Sequence, residues 1–364
     1  MSCPSDPEFV HVPLSSIKGR GSATHLAHRF EKDAREPFDD GWLQDEQGPA
    51  PLATTWVWED CKSAITRNTS PDIGFDLSIN PYRGCEHGCS YCYARPSHSY
   101  LGLSPGLDFE TRLIAKRGLK DRLIHELANP RYRPGLMALG TVTDAYQPLD
   151  RELRLTREVL EVLHDCHHPV AIVTKGSGVE RDIDLLAAMA GRRLAGVYVS
   201  VTTLDAELAR RMEPRAAAPW RRLKTIRKLA DAGIPVGVSV SPQIPFINDD
   251  MEQVLQAARD AGARSAFYVV LRLPWELSPL FRQWLSLHYP DRADRVMARI
   301  QDLRGGKDYD ARFATRRSGQ GLWAELIAQR FAKACLRLGL NRDRSALNLA
   351  DFRPPSRSRQ MGLF

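Results

Sequence analysis

The sequence has little of what membrane-spanning, secreted or disulfide-stabilised proteins require. No run of apolar residues approaches the roughly 20 needed to cross a bilayer, and residues 1–6 are not a basic region followed by an apolar stretch. The seven cysteines are an odd number for a disulfide framework, and four of them are scattered along the chain. These absences predict a cytoplasmic protein with no membrane partner, whose clustered cysteines serve as metal ligands.

Length and charge set only broad limits. The 364 residues, 43% of them hydrophobic, are enough for one large domain with extensions or for two ordinary domains. Lysine and arginine number 51 against 44 acidic residues, which gives a formal net charge of +7. This excess favours a polyanionic partner only weakly, because a modest positive balance is common, and it leaves nucleic acid among the candidate partners.

The pattern of polar and apolar residues divides the chain into four regions. Residues 1–74 lack periodicity and predict an irregular extension that covers the next domain, residues 276–340 are helix-rich, and residues 341–364 predict a flexible basic tail. Residues 75–275 alternate short apolar runs with amphipathic stretches. The predicted strands there are 136–142, 170–174, 196–201, 235–240 and 266–271, and the predicted helices are 152–164, 181–190, 218–232 and 251–261. This alternation predicts an α/β fold with parallel strands, a half-wound or fully wound β/α barrel.

Several other segments are predicted to have structural roles. Residues 109–116 favour a strand, with a helix beginning at Gly118, and residues 164–168 predict a surface turn on the side of the barrel opposite the active site. The tryptophans Trp275, Trp284 and Trp323 are predicted to pack in the interior. Cys335 has apolar neighbours at helical spacing and is predicted to be a small buried hydrophobe, whereas Cys3, Cys61 and Cys166 are isolated.

Three cysteines lie within eight residues of one another. Cys85, Cys89 and Cys92 have C-x3-C-x2-C spacing, which lets one loop coordinate three corners of a cube-shaped 4Fe-4S cluster and leaves the fourth iron without a protein ligand. Two alternatives remain at this stage. His87 could complete a four-ligand zinc site, although its position inside the first gap would strain it, or the cysteines could hold no metal.

This loop, with Tyr91 just before the third cysteine, resembles the radical S-adenosylmethionine superfamily. The resemblance implies a partial (β/α)6 TIM-like barrel with an irregular N-terminal extension and a helical C-terminal segment. It also implies that the open iron binds the amino and carboxylate groups of S-adenosylmethionine. Reductive cleavage of the sulfonium would then give a 5'-deoxyadenosyl radical that abstracts a substrate hydrogen.

Polar residues follow the predicted strands, where the loops of a barrel converge on its active site. Such residues also cap helices and hold turns, so each has a structural alternative. Residues 174–175, 181–182, 200–205 and 212–215 resemble the branch related to spore photoproduct lyase. That resemblance implies Tyr91 against the adenine, Thr143 and Lys175 near the methionine carboxylate or ribose, and Ser200 on the ribose or carboxylate.

The chain also departs from that branch. Spore photoproduct lyases look to have a cysteine just after the second strand, which returns a hydrogen atom to the product radical, and residues 139–144 contain no cysteine. Residues 80–88 and 104–110 resemble instead a bacterial subgroup of photolyase-like DNA repair proteins. Reversal of a thymine dimer through such a cysteine is therefore in doubt for this chain.

The last five residues resemble the Gln-Leu-x-Leu-Phe peptide by which bacterial DNA enzymes dock on the replication sliding clamp. Gln360 supplies an amide, and Met361, Leu363 and Phe364 are apolar on an otherwise polar tail. Met361 and Gly362 depart from the commonest pattern, and a chain end can carry such residues by chance. If the peptide is functional, it places the protein at DNA.

Together these features predict a lyase-like radical enzyme that acts on nucleic acid, with DNA favoured, and that draws electrons from a reductant such as flavodoxin or ferredoxin. One alternative keeps the radical chemistry but modifies a protein, an RNA or a small molecule. Another is a non-catalytic iron-sulfur redox sensor or DNA-binding module, which need not bind S-adenosylmethionine.

Overall fold

The computed structural model describes residues 14–31, 52–342 and 346–355, and its strands form two sheets. The strands are β1 (Thr55–Asp60), β2 (Thr66–Arg67), β3 (Leu77–Ile79), β4 (Tyr82–Arg83), β5 (Arg112–Arg117), β6 (Met137–Leu139), β7 (Val170–Thr174), β8 (Ala195–Ser200), β9 (Val236–Ser239) and β10 (Ser265–Phe267). The helices are α1 (Asp108–Thr111), α2 (Leu119–Leu127), α3 (Asp150–Leu153), α4 (Leu155–Asp165), α5 (Ile183–Ala190), α6 (Ala206–Met212), α7 (Pro219–Asp231), α8 (Met251–Asp260), α9 (Leu277–His288), α10 (Ala293–Asp302) and α11 (Gly321–Leu338).

The larger sheet has the order β10-β9-β8-β7-β6-β3-β2. In this sheet β3, β6, β7, β8, β9 and β10 are parallel, and they lie side by side in the order in which they occur along the chain. Only the short β2 is antiparallel to its neighbour. Helices lie between successive strands, as expected for repeated β/α units. The prediction of a mixed α/β fold with six parallel strands and a helical C-terminal segment is confirmed.

Alternation along the strands separates a helix-covered face from an inner face. In β7, Val170 and Ile172 are buried, whereas Val173 borders a cavity. The buried strand residues pack against the apolar stripes of the helices, including Leu163 of α4. Each such leucine, once fully buried, contributes roughly 1.5–3 kcal/mol through removal of its surface from water.

One glycine lets an aromatic floor form inside the sheet. A Cβ atom on Gly237 of β9 would lie 2.4 Å from a ring carbon of Tyr198 in β8, its register partner, so only glycine leaves space for that ring. The Tyr198 ring contacts Phe267 at 5.1 Å between centroids, and its hydroxyl accepts a hydrogen bond from Ser265. These side chains lie on the inner face of the sheet, and Phe267 borders the cavity at the carboxyl ends of the strands.

The second sheet corrects two predictions. Residues 55–60, which fell in the region predicted to be irregular, form β1, and β1 pairs in parallel with β5. Residues 109–116, predicted as a strand, divide into the end of α1 and most of β5. Local periodicity missed β1 because its pairing partner lies more than fifty residues away, and strand propensity depends strongly on such context.

The helix predicted over residues 152–164 is interrupted. Arg154 adopts a left-handed conformation (φ 54°) between α3 and α4. The Asp150 carboxylate accepts a hydrogen bond of 3.1 Å from the backbone of Thr156, which satisfies one free amide of the new helix start. Because this carboxylate is also bound by Tyr82 and Arg181, a tertiary contact sets the break.

The C-terminal helices pack through only some of the predicted tryptophans. Trp284 of α9 is buried and donates to the carbonyl of Arg211, as predicted for a packing residue. Trp275 is 63% exposed, so that prediction is wrong: its ring lies at the surface, 4.5 Å from the guanidinium of Arg29. Among the described residues, no helix is both long and apolar enough to cross a membrane.

The amino-terminal end of the barrel is covered by part of the tail. Phe352 contacts the rings of Tyr132 and His168, and the amide of Arg353 donates to the carbonyl of Cys166. His168 is fully buried and bonded to the Tyr132 hydroxyl at 2.7 Å, so the predicted surface turn at residues 164–168 is partly interior. Residues 346–355 are therefore packed, unlike the flexible tail predicted for the whole of 341–364.

Candidate active site

A cavity of about 270 Å³ opens at the carboxyl ends of the parallel strands. Most of its walls come from the loops after β4, β6, β7, β9 and β10 and from the last residue of β8, and the segments before β3 and before α11 complete them. All seven residues singled out in the sequence contribute to these walls, namely Cys85, Cys89, Cys92, Tyr91, Thr143, Lys175 and Ser200. Thr143, Lys175 and Ser200 share this location because parallel strands bring their carboxyl ends to one edge. The cysteine loop reaches the same cavity from β4 of the second sheet.

The cysteine loop leaves β4 through a turn that requires glycine. Gly84 has a φ of +76°, and a Cβ atom there would lie 2.8 Å from the carbonyl oxygen of Phe109. The same carbonyl accepts a hydrogen bond of 2.9 Å from the amide of Cys85. Cys85 follows β4 and Phe109 precedes β5, and these two strands pair in the second sheet. The second sheet therefore fixes where the cysteine loop begins.

Two buried side chains hold the loop in place. Arg95, 1% exposed, donates to the carbonyl oxygens of Cys89 at 2.8 Å and Gly88 at 3.1 Å. Gln147, in the loop after β6, accepts from the Glu86 amide at 2.9 Å and donates to the Gly84 carbonyl at 3.2 Å. These bonds satisfy backbone groups that a buried irregular loop would otherwise leave unpaired.

Part of the N-terminal segment lies over the cysteine loop. Glu110, paired with Arg95 at 2.7 Å, accepts hydrogen bonds from the amides of Gly21 at 3.0 Å and Ser22 at 2.8 Å. A Cβ atom on Gly21 would collide with the carbonyl of Gly88, so the two backbones touch. Residues 14–31 therefore form part of the wall that separates the cysteines from solvent.

The three thiols fit an iron-sulfur cluster. Cys85, Cys89 and Cys92 are free, and burial raises the pKa of Cys89 to about 12 although Lys175 opposes the rise. Thiolates in such surroundings need positive partners, and the irons of a cluster supply them. Three soft thiolate donors are also the ligand type that iron-sulfur clusters take.

A mononuclear metal ion fits less well. One ion needs its ligands arranged around a single point, and in the part of the chain that the structure describes no three His, Cys, Asp or Glu side chains are grouped in that way. His87, weighed above as a fourth zinc ligand, places Nδ1 3.3 Å from a carboxylate oxygen of Asp144. A cluster takes its thiolates at separate corners, so the zinc alternative gains no support.

Tyr91 belongs to a buried polar network. Its hydroxyl donates to Glu213, which also accepts from Thr202 at 2.5 Å and is paired with Arg222. Burial alone would raise the pKa of Glu213, but Arg222 and Lys175 lower it to about 2. The carboxylate is therefore ionised, and it holds the Tyr91 ring against the cavity.

Lys175 lies beside this network. Its Nζ is 5.7 Å from the centroid of the Tyr91 ring, and its backbone amide donates to Asp144 at 2.7 Å. Burial alone would lower the pKa of Lys175, but Cys89 and Glu213 raise it above its ordinary value. A lysine that is cationic at neutral pH thus borders the cavity, next to the cysteine loop.

Two hydroxyl groups in the cavity wall have no described partner. The buried Oγ1 of Thr143 and Oγ of Ser241 form no hydrogen bond within the described residues. Buried hydroxyls are normally satisfied, so each is free to bond to a molecule in the cavity. Ser200 also borders the cavity, and its carbonyl accepts a 3.0 Å bond from Arg222.

Several residues of this site were not identified from the sequence. Glu213 lies in the segment 212–215 that carried the family resemblance, so a signal for it existed, but Arg222 lies within an ordinary amphipathic helix. Neither spacing nor composition marked Tyr93, Arg272 or Arg317, whereas Ser241 directly follows a predicted strand and so carried the strand-end signal. Only the tertiary structure brings them to one cavity.

Comparison with known proteins agrees with this geometry. The family model of the Radical SAM superfamily matches residues 79–258. The chain is 35% identical over 239 residues to the uncharacterized protein Rv2578c of Mycobacterium tuberculosis, an alignment covering 65% of this chain and 70% of that protein. The chain belongs to the radical SAM superfamily, whose cofactors are S-adenosylmethionine and a 4Fe-4S cluster.

More distant similarity extends to archaea and to a solved structure. The uncharacterized protein MJ0683 of Methanocaldococcus jannaschii is 26% identical over 220 residues, covering 60% of this chain and 78% of that protein. A mutant of spore photoproduct lyase, solved with dinucleoside spore photoproduct, superposes with a TM-score of 0.50 at 15% identity and covers 78% of each chain. At that identity the superposition establishes a shared fold.

Proposed function

We propose that this protein is a radical enzyme that acts on DNA. When bound, the cluster and S-adenosylmethionine supply a 5'-deoxyadenosyl radical by reductive cleavage. One observation carries the proposal: the three cysteines line a single cavity together with a cationic lysine and an unpartnered buried hydroxyl. That cavity has the donors an S-adenosylmethionine molecule needs beside a cluster.

The residues of the cavity have distinct tasks in this proposal. Lys175 attracts the carboxylate of S-adenosylmethionine, and the free hydroxyl of Thr143 donates to the same group or to the ribose. Ser200 offers a further hydrogen bond to the ribose or carboxylate, and Tyr91 presents its ring to the adenine. The aromatic floor and the N-terminal segment exclude water, which would otherwise weaken each electrostatic contact.

Replacing Lys175 with glutamine is expected to weaken S-adenosylmethionine binding about tenfold, because a charge-assisted bond to its carboxylate is removed. Equilibrium dialysis of the reconstituted protein against labelled cofactor measures this change. Lys120→Gln, on the outer helix α2 and paired with Glu161, is the matched control and should bind as the wild type does. Unchanged binding by the Lys175 variant would remove this lysine from the cofactor site.

Three features support DNA as the substrate class. The chain carries a formal charge of +7. A lyase of the same fold was solved with a dinucleoside photoproduct. An exposed cluster of Phe30, Tyr100 and Trp275 surrounds the guanidinium of Arg29 at 4.5–5.0 Å, a combination suited to stacking on unpaired bases.

The proposal does not extend to thymine-dimer reversal through a cysteine. Residues 140–144 line the cavity after β6, and none of them is a cysteine. A hydrogen atom returned to a product radical would therefore need another donor.

The test uses protein reconstituted anaerobically with iron and sulfide and reduced with dithionite or with flavodoxin or ferredoxin. We expect ultraviolet-irradiated or otherwise damaged oligonucleotides to increase the formation of 5'-deoxyadenosine. If a peptide, an RNA or a small molecule increased 5'-deoxyadenosine formation and DNA did not, the alternative of a radical enzyme that modifies that class of substrate would be favoured. If S-adenosylmethionine neither reacts nor perturbs the electron paramagnetic resonance spectrum of the cluster, the redox-sensor alternative replaces the proposal.

Docking on a sliding clamp belongs to the same proposal. Gln360, Met361, Leu363 and Phe364 lie outside the described residues, so the support comes from the sequence alone. Replacing Leu363 and Phe364 with alanine is expected to weaken binding to a bacterial sliding clamp by roughly a hundredfold, since two apolar anchors leave their pocket. Surface plasmon resonance measures it, with Arg357→Ala in the same tail as control. Equal binding by all three proteins would rule the peptide out.

A further inference from the structure

Among the residues that the structure describes, Arg272 and Arg317 border the cavity and form no ion pair with a carboxylate, unlike other arginines near it. The described residues offer Arg272 only the hydroxyl of Tyr309, at 3.4 Å, and its buried Nε has no hydrogen-bond partner among them. Arg317 donates to the backbone carbonyl of Asp72. Both side chains contribute to the cavity wall.

Other arginines in the same region are paired with carboxylates. Arg316, adjacent to Arg317 in the chain, is bound through two nitrogens by Asp72 at 2.5 and 2.6 Å. Arg215 pairs with Glu86 at 2.8 Å. Partly buried guanidinium groups are usually paired in this way, because removing them from water is costly.

A third arginine brings the two unpaired ones together. Arg304, 1% exposed, donates to the carbonyls of Thr315 and Arg316 at 2.8 and 3.0 Å and to those of Val270 and Leu271. The amide of Val270 also donates to the carbonyl of Arg317 at 2.9 Å. Arg304 therefore ties the segment before Arg317 to the segment before Arg272.

This arrangement concentrates positive charge at one place. Burial and the positive charge of Arg272 lower the pKa of Arg304 to about 10. The guanidinium of Arg272 also lies 5.0 Å from the ring centroid of Tyr93, which restricts its orientation. Arg272 and Arg317 both border the cavity near Tyr93, and the planar donors of a guanidinium group match the oxygens of an oxyanion.

We propose that Arg272 and Arg317 form a phosphate site at the cavity, which binds a backbone phosphate of a nucleic acid strand. The site rests on the proposed action on DNA and goes further, because it names the group that anchors the strand beside the cofactor. Lys175, which lies at the cysteine loop, is left to the carboxylate of S-adenosylmethionine. The two anions are thereby separated: one belongs to the substrate and one to the cofactor.

The test measures the binding of a single-stranded oligonucleotide by fluorescence anisotropy at several salt concentrations. The logarithm of the binding constant decreases with the logarithm of the salt concentration. In Arg272→Gln and in Arg317→Gln, we expect the magnitude of this negative slope to decrease by about 0.7 for each phosphate that the variant no longer binds. Binding of S-adenosylmethionine should be unchanged in both. Arg282→Gln, a half-exposed arginine paired with Asp308, is the control and should keep the wild-type slope.

A second measurement separates failure of this site from failure of the proposed function. Wild-type protein should bind thymidine monophosphate more tightly than thymidine, and the difference should vanish in the double glutamine variant. If the wild type binds no oligonucleotide, action on DNA fails, and the monophosphate comparison alone decides whether the anion site exists. Unchanged slopes, or weaker S-adenosylmethionine binding with unchanged slopes, would overturn the phosphate site.

Either variant could lose structure, because both arginines lie in packed loops. Arg272→Lys and Arg317→Lys retain the charge and lose only the planar fork, so they should keep most of the salt dependence while lowering affinity. Circular dichroism shows whether each variant is folded. A folded glutamine variant with a wild-type slope contradicts the proposal whatever the lysine variants show.

Discussion

Replacing Cys89 with alanine is expected to reduce 5'-deoxyadenosine formation to background. Cys89 is the middle cysteine of the proposed cluster loop, is buried and lies near Lys175. Alanine would remove one of three thiolates from a cavity whose walls contain no other cysteine among the described residues. A cluster held by two thiolates is not retained stably, and no electron reaches the sulfonium. Iron and sulfide content and product formation are measured together after anaerobic reconstitution.

Cys61→Ala is the matched control for this loss. Cys61 is a half-buried free cysteine that does not line the cavity, so its variant should keep wild-type iron content and activity. If Cys89→Ala formed the product at the wild-type rate, the radical mechanism would be wrong. If the cluster were absent from both variants, its loss would not be specific to the cysteine loop, and the assignment of Cys89 as a ligand would lose this support.

The Glu213→Gln variant is expected to lose about 3 kcal/mol in free energy of unfolding, because it leaves Arg222 buried without its counter-charge. Both side chains are almost completely buried. The glutamine also disturbs the bonds to Tyr91 and Thr202, so cofactor binding should fall with stability. Denaturant titration by circular dichroism gives the stability change directly.

The control is Glu207→Gln in α6, six positions earlier. Glu207 pairs with Arg211 at the surface and is 74% exposed, so its replacement should change stability by no more than about 0.5 kcal/mol. If Glu213→Gln lost less than about 1 kcal/mol, water or a rearranged partner would have to satisfy Arg222, which would contradict the buried pairing of Arg222 with Glu213.

The same carboxylate has a defined pH dependence. Its pKa lies below the ordinary value of 4.5, at about 2, so the stability it contributes is fully present above pH 4.5 and is lost as the pH falls toward 2. Glutamine resembles the protonated acid. The stability gap between wild type and Glu213→Gln should therefore be constant between pH 5 and pH 7 and narrow in more acidic buffer.

Much of the site could be predicted because its signals are local. Cys85, Cys89 and Cys92 lie on one short loop, so their spacing alone brings them together. Lys175 and Ser200 were found because apolar periodicity located the strands, and parallel strands meet at their carboxyl ends. The residues could be placed at one edge of a sheet without any knowledge of side-chain contacts.

The residues that were missed depend on contacts between distant segments. Glu213 and Arg222 lie on either side of a helix start, and nothing in their local pattern distinguishes them from surface charges until the fold buries both. Arg272 and Arg317 are 45 positions apart and are joined through Arg304. The packed tail at residues 346–355 and the exposed Trp275 were mispredicted for the same reason.

The sequence by itself predicted the cluster-binding loop and determined the alternation of strands and helices and the superfamily. Each of these depends on spacing within a few residues or on a periodic pattern, and neither needs a partner elsewhere in the chain. Only the tertiary structure decided which charges are paired and which remain free at the cavity. Burial and pairing are properties of segments brought together across the fold, and a charged side chain carries no mark of its partner in the sequence around it.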